Sequence, residues 1–302
     1  MSLLITGTVA FDAIETPTGK TDKIIGGAAT YIGLSASYFT SDVQLISVVG
    51  DDFPQDYISL LQKKGIDTQG LQIKEGEKSF FWSGKYFNDL NSRETLITEL
   101  NVLADFDPIV PNAFQQPDYV MLGNLAPSVQ GTVLDRLSRK PKLVVMDTMN
   151  FWMDIALDEL KQTLKRIDVI TINDEEARQL SGVYSFKKAA EIISAMGPKY
   201  LIIKKGEHGA MLFHNNEMFY TPAILLDVVN DPTGAGDTFA GGFIGWLAKT
   251  DDISFVNMKK AIVYGSAMAS FCVEKFGTEN LLNISEEQLA ARVAQFKNMV
   301  SF

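Results

Sequence analysis

The chain has 302 residues, 46% of them hydrophobic and 21% charged, which suits one large α/β core with a small appendage. Its formal net charge is -10 and its longest basic runs are lysine pairs such as Lys63-Lys64, which argues against nucleic-acid and anionic-membrane partners. One cysteine and two histidines exclude an intramolecular disulfide and a zinc site of the usual Cys/His kind.

The start, Met-Ser-Leu-Leu-Ile-Thr-Gly, has no basic stretch leading into a long apolar run. It reads as a first strand, Leu3–Ile5, entering a glycine turn. No apolar run reaches membrane-spanning length, so a cytosolic (cytoplasmic) protein is expected. Asp12–Ile25 reads as a strand pair turning at Pro17-Thr18-Gly19, and Gly26-Gly27 then open a helix over Ala28–Tyr38. A buried strand, Val43–Val49, and a helix, Asp56–Lys64, follow. Ser79–Phe87 and Glu94–Leu100 flank a polar turn and predict a β-hairpin. Alternation puts Phe80, Trp82 and Tyr86 on one face and Phe81, Lys85 and Phe87 on the other. Apolar residues on both faces suit a lid over a site, a contact between two copies of the chain, or both. Further strands at Tyr119–Leu122, Leu143–Met146, Val169–Ile172 and Tyr200–Ile203 are rich in Val, Ile and Leu. The remaining predicted helices are Ser128–Leu137, Ile155–Arg166, Asp174–Leu180, Phe186–Met196, Thr238–Ala248, Met258–Phe271 and Ser285–Val300. Such alternation predicts an α/β fold: a mostly parallel central sheet with helices on both faces, plus a small β lid. A single domain over 1–302 is expected, with a discontinuous lid from about 12–25 and 74–100. Ligands in such sheets bind beyond the carboxyl ends of the strands.

The strongest chemical signal is the run from Asn230 to Phe243, Asn-Asp-Pro-Thr-Gly-Ala-Gly-Asp-Thr-Phe-Ala-Gly-Gly-Phe. Thr233, Gly234, Ala235 and Gly236 form a turn that presents N–H groups at a helix start, a place that attracts anions. Asp237, at that helix start, is placed to take the proton of an attacking hydroxyl beside a phosphate. The run is not a Walker A loop, because no Gly-Lys-Ser/Thr follows, and its glycines do not match the dinucleotide fingerprint. Ala240, Gly241, Gly242 and Gly245 predict close packing of the helix against a neighbour.

The stretch Asp231–Gly242 resembles the C-terminal signature of the ribokinase-like (PfkB) family of carbohydrate and nucleoside kinases. The resemblance extends over essentially the whole chain. Gly7–Asp12 is similar to the family's first strand and its hydroxyl-binding aspartate, and Gly26–Tyr31 to its di-glycine motif. Asn173-Asp174-Glu175-Glu176 matches the N-x-x-E pattern, and Lys205-Gly206-Glu207-His208-Gly209 the turn near the nucleotide. The resemblance implies ATP and Mg2+ as cofactors and transfer of the γ-phosphoryl group to a hydroxyl of a sugar-like molecule. It implies Asp237 as base, Thr233 to Gly236 as anion hole, and Asp12, Gly26 and Gly27 on the acceptor. It assigns Asn173, Glu176, Lys205, Gly206 and Gly209 to the nucleotide, with Glu176 also serving the metal, largely through water. One departure stands out: Thr30 and Tyr31 occupy a region where many sugar kinases of this family carry an asparagine, at a wall where the family contacts its substrate.

Asn124, Asp147 and Asn150 follow strands where the ligand crevice is expected, and Asn124 is a candidate acceptor contact; turn chemistry explains each equally. Lys204 and Lys205 close a strand and fit either a phosphate or solvent. Arg93 suits a solvated hairpin tip or a lid arginine. Trp82 and Tyr86 fit stacking on a base or sugar as well as core packing. Cys272 reads as a buried packing residue. The alternatives are an adenosine or other nucleoside kinase, a non-catalytic sensor of sugars or nucleotides, and a hydrolase using paired carboxylates.

Overall fold

The structure is a computed structural model describing residues 1–301; the last residue of the expected 1–302 domain lies outside the described residues. The chain opens with β1 (Leu3–Thr6), all of whose residues are buried. It leaves the core through β2 (Ala10–Thr16), β3 (Gly19–Lys20) and β4 (Ile24–Gly26) and returns in α1 (Ala28–Ala36). Next come β5 (Val43–Gly50), α2 (Gln55–Lys63), β6 (Ile66–Lys74) and the hairpin of β7 (Phe81–Tyr86) and β8 (Arg93–Glu99). Strands and helices then alternate: β9 (Tyr119–Leu122), α3 (Pro127–Asp135), β10 (Leu143–Asp147), α4 (Asn150–Ile155), α5 (Leu157–Leu164) and β11 (Val169–Asn173). The chain continues through α6 (Asp174–Ser181), α7 (Phe186–Ser194), β12 (Tyr200–Lys204), β13 (Ala210–His214) and β14 (Glu217–Thr221). It ends in α8 (Ala235–Thr250), α9 (Phe255–Cys272) and α10 (Glu286–Val300).

The large sheet has the order β14-β13-β12-β11-β10-β9-β1-β5-β6. It is parallel from β12 through β6, and β13 and β14 add an antiparallel edge. Its central strands are apolar on both faces, as a sheet covered by helices on both sides requires. Leu3, Ile5, Leu143, Val145, Val169 and Ile202 face one core, shared with Phe239 and Phe243 of α8 and with Ala261 and Met268 of α9. Leu4, Val144, Met146, Ile170, Ile172, Leu201 and Ile203 face the other, against Leu160, Ala177 and Ile193 of α5, α6 and α7. Strand alternation carries these faces past the strand ends. Asp147, Asn173 and Lys204 are therefore in phase with the α8 side.

The second sheet is β3-β2-β7-β8, with β4 paired to β2. The expected 12–25 strand pair and the hairpin thus build one lid sheet. Thr16 pairs with Gly19, so the turn falls on Pro17-Thr18.

The predicted helix Ile155–Arg166 is corrected: the chain makes α4 and α5, broken at Ala156 with φ −142° and ψ 36°. Each short helix has its own anchor. Trp152 of α4 donates its Nε1–H to Asn124 Oδ1 at 2.8 Å, while Leu160 and Leu164 of α5 are buried in the core. The sequence reading did not include β6, β13 or β14. β6 is an edge strand with only Ile66 and Gly70 buried, so its pattern is faint. β13 and β14 join at Asn215, whose φ is +50°, and an Asn-Asn pair between two apolar runs was a legible hairpin signal.

Candidate active site

The glycine turn before α8 is built as its composition requires. Gly234 has φ +72°, a left-handed conformation that favours glycine. A Cβ there would also stand 2.5 Å from the Tyr31 ring. Tyr31 is buried, and its ring packs beneath the turn. The turn is braced from below by Asp231, whose Oδ1 accepts from Thr233 N–H at 2.8 Å and Oδ2 from Gly277 N–H at 2.9 Å. Cys272 packs beneath it as expected, its thiol 3.6 Å from the Thr233 carbonyl and pushed up to about 12 by burial.

α8 begins at Ala235, three residues before the predicted start, which places Asp237 inside its first turn. Ala235 N–H donates to the Pro232 carbonyl at 3.2 Å, within the turn. Among the described residues, the N–H groups of Gly236 and Asp237 have no backbone acceptor. These donors and the helix dipole form the anion-attracting end. The small residues of α8 let neighbouring helices approach: a Cβ on Gly242 would stand 3.0 Å from the Gly265 Cα of α9.

A lysine faces this end. Lys204 Nζ donates to Asp147 Oδ2 at 2.8 Å and would stand 2.9 Å from a Cβ on Gly236. Burial works against its charge, but Asp147, Glu176 and Asp237 together outweigh burial and hold its pKa above the ordinary value. The carboxyls show the reverse balance. Burial pushes Asp237 up to about 7, and Asp147 adds to this against the pull of Lys204 and Arg93. Burial likewise pushes Glu176 up to about 7, again helped by Asp147 and opposed by Lys204, the Asn173 N–H and Arg93. Asn173 and Glu176 form a capping box: Asn173 Oδ1 accepts from Glu176 N–H at 2.8 Å, and Glu176 Oε2 accepts from Asn173 N–H at 2.7 Å.

On the other side stands Asp12 of β2. Gly26 leaves room for its carboxylate, because a Cβ there would overlap Asp12 Oδ2. Burial pushes Asp12 up to about 7; Asp231 and Asp237 add to this and the Gly27 N–H opposes it. Gly27, at φ +93°, caps α1, and Ala28 N–H donates to Thr8 Oγ1 at 2.8 Å.

Lys204, not Lys205, joins the carboxylates. Lys204 is in phase with Ile202, on the α8 side; Lys205 Nζ lies 5.5 Å from the ring of Phe186, at the start of α7. Gly206 and Gly209 shape the turn into β13, where Lys205 N–H donates to the Gly209 carbonyl at 2.8 Å. Asn124 is occupied at both ends of its amide, accepting from Trp152 and donating to Met149 Sδ at 3.1 Å, and Asn150 bonds to Gln179.

The lid reaches the same place. Tyr86 is buried, and its hydroxyl accepts from Thr233 Oγ1 at 3.2 Å. Arg93, paired with Tyr86 across the hairpin, lies within electrostatic reach of Glu176 and Asp237. At the hairpin tip, the Asn91 side chain lies where a Cβ on Gly206 would stand. Lys204, Asp147, Arg93 and Tyr86, lesser candidates in the sequence, thus gather around the start of α8, and Asp231, whose role no local pattern announces, braces the turn.

Among the described residues no three His, Cys, Asp or Glu side chains converge as a metal cage. Magnesium does not require one, since it is commonly held by one or two carboxylates together with substrate phosphates and water. Glu176 fits such a role: Oε2 is engaged in the capping box, and Oε1 has no protein partner among the described residues. No helix among the described residues is long and apolar enough to cross a membrane.

Comparison with known proteins bears on the family and the fold. Residues 3–284 match the model of the pfkB family of carbohydrate kinases. The chain is 28% identical over 254 residues to the cytidine kinase of Thermococcus kodakarensis, covering 82% of this chain and 89% of the relative. Its fold is similar to that of a nucleoside kinase from Burkholderia thailandensis in complex with inosine, with a TM-score of 0.77 and 19% identity over 98% of this chain and 99% of the other. It is equally similar to ribokinase from Thermotoga maritima, with a TM-score of 0.77 and 19% identity over 97% and 99%. A match over nearly the whole length makes this chain a member of the pfkB family of carbohydrate kinases.

Proposed function

We propose that the protein transfers the γ-phosphoryl group of MgATP to a hydroxyl of a sugar or nucleoside. The carrying observation is that Asp237, the free N–H groups of α8 and the Lys204 ammonium converge opposite Asp12. Asp12, with Gly26 and Gly27 beside it, accepts hydrogen bonds from acceptor hydroxyls. Asp237 takes the proton of the attacking hydroxyl; a pKa near 7 suits a base that works at neutral pH. The turn from Thr233 to Gly236 and Lys204 stabilise the negative charge that develops on the transferred group. Glu176 and Asn173 hold the Mg2+ side, and bound Mg2+ supplies charge neutralisation between the phosphates. Gly206, Gly209 and Lys205 border the nucleotide. The lid closes over the acceptor and excludes water, which limits wasteful ATP hydrolysis.

The sequence range 1–302 forms one kinase domain with a discontinuous lid, acting in the cytoplasm. The lid also joins two copies of the chain: β8 is an exposed edge strand with Leu96 48% and Ile97 46% accessible. A monomeric mass in solution would remove that dimer.

The function is tested by ADP release with MgATP against ketoses, aldoses, sugar phosphates and nucleosides. Turnover with one of these identifies the acceptor. Silence across the panel with nucleotide still bound favours the sensor reading.

A further inference from the structure

The lid's inner face carries a residue that the chemistry above does not use. β2 and β7 are parallel and in register, with Asp12 opposite Trp82, so both side chains leave the sheet on the same face. Glu15 and Lys85 mark the opposite face, where they form an ion pair at 2.6 Å. The backbone of Trp82 therefore lies one interstrand spacing, roughly 5 Å, from that of Asp12, the residue proposed to read acceptor hydroxyls.

Its indole is also laid flat. A Cβ on Gly84, two residues along the same face, would overlap the six-membered ring of Trp82. The glycine leaves a smooth patch of backbone on which the ring rests. Trp82 Nε1–H donates to Thr95 Oγ1 at 3.3 Å, which fixes the ring's rotation. Arg93 approaches the ring at 5.8 Å. The other two tryptophans differ. Trp246 stacks on Tyr264 with centroids 3.8 Å apart, and Trp152 packs edge-on against Phe151. Among the described residues, Trp82 has no aromatic neighbour and belongs to no core cluster, and it is only partly buried. A large apolar ring oriented by a hydrogen bond, on the face that reads the acceptor, is placed for a flat ligand.

We propose that Trp82 is a specificity-determining residue: its indole is a stacking platform for the heteroaromatic ring of a nucleoside acceptor, and this kinase prefers nucleosides to free sugars. The inference rests on the kinase reading above, with the sugar hydroxyls at Asp12. A free sugar leaves the platform bare. A nucleoside with its hydroxyls on Asp12 carries its base to the adjacent strand, and stacking tolerates every base because each has a π-face.

The test uses the full-length protein with MgATP, cytidine, inosine and free ribose, with ADP formation and tryptophan fluorescence as readouts. The wild type is expected to show a nucleoside kcat/KM at least about tenfold above that for ribose. Trp82→Ala is expected to lower the nucleoside value by about tenfold to a hundredfold and the ribose value by less than about threefold. Trp82→Phe is expected to retain most of the preference. Gly84→Ala keeps the tryptophan but lifts its ring, so it is expected to erode the same preference, which guards against a fold defect in Trp82→Ala. Nucleosides are expected to quench a part of the emission that Trp82→Phe removes. Equal losses for ribose and nucleosides in Trp82→Ala, or Gly84→Ala with unchanged preference, would overturn the platform while leaving the kinase intact. No ADP from any acceptor would defeat the kinase reading, and the quenching would still decide whether Trp82 meets a base: its absence sinks the platform whatever the turnover.

Discussion

Replacing Asp237 with asparagine separates the two contributions of this side chain. The carboxyl titrates near 7 in the folded chain against 3.8 ordinarily, a gap of about three units. At 1.36 kcal/mol per unit, ionising it inside the fold costs on the order of 4 kcal/mol, and about 2–4 kcal/mol once the partial opening of the site to solvent is allowed for. The sign follows from linkage. Below pH 4 the group is protonated in both folded and unfolded chains and costs nothing. As pH rises through about 7 the folded chain must also release the proton, so the destabilisation is complete above that value. Asp237→Asn therefore comes closest to the wild type at the acid end, near pH 4, and gains stability over it towards pH 8. With an unfolding entropy of about 2.1 cal/mol/K per residue, the gain corresponds to about 3–6 °C in Tm. Over the same change kcat falls by about 10²–10⁴, because the proton acceptor is lost, while ATP binding persists. Thermal melts from pH 4 to 8 and single-turnover assays of both proteins measure the two effects. A Tm difference that does not vary with pH would refute the electrostatic argument, and near-normal turnover would refute the assignment of the base.

Other outcomes follow from the same geometry. In the free enzyme kcat/KM should fall as pH drops below about 7, since Asp237 must be ionised to accept a proton, and a flat profile between pH 5 and 8 would contradict this. Lys204→Met strips the cation from Asp147, Glu176 and Asp237; the profile should shift to higher pH, and losing one partner of a buried pair should cost about 3–5 kcal/mol in a denaturant melt. Gly26→Ala drives a methyl group into Asp12, so the acceptor KM should rise at least about tenfold while the ATP Kd measured by calorimetry stays put. Chelation with EDTA should abolish ADP formation and added Mg2+ should restore it; turnover in EDTA would displace the metal from the scheme.

How far the site is legible in the sequence depends on how local its causes are. The turn before α8 is dictated by adjacent residues, so the glycine turn and the place of Asp237 at the helix start could be read from one string. The choice between Lys204 and Lys205 required the phase of β12 relative to the two cores, which emerges only when Ile202 and Ile203 are assigned to opposite faces. Asp147 is brought to Lys204 from 57 positions away by sheet order, and no spacing announces that. Asn124 lies at a strand end, and only the fold shows that its amide bonds to Trp152 and Met149. Tyr31 stood where the family's asparagine was expected, and only packing against Gly234 shows that it supports the turn from beneath. The parallel strands were plain because burial on both faces leaves uninterrupted Val, Ile and Leu, whereas β6 and β14 are partly exposed and carry mixed composition.

The hairpin rests on two feet. Tyr86 stands on Thr233 just before α8, and Asn91 stands on Gly206 just past the end of β12. Because β7 and β8 are paired along their length, lifting one foot levers the other. On the proposed reading the hairpin spans both sides of the site, so the phosphorylated acceptor and the spent nucleotide would share one gate, whose opening rate would set a ceiling on turnover whatever the speed of the chemistry. A kcat that declines as solvent viscosity increases is the kinetic mark of that ceiling.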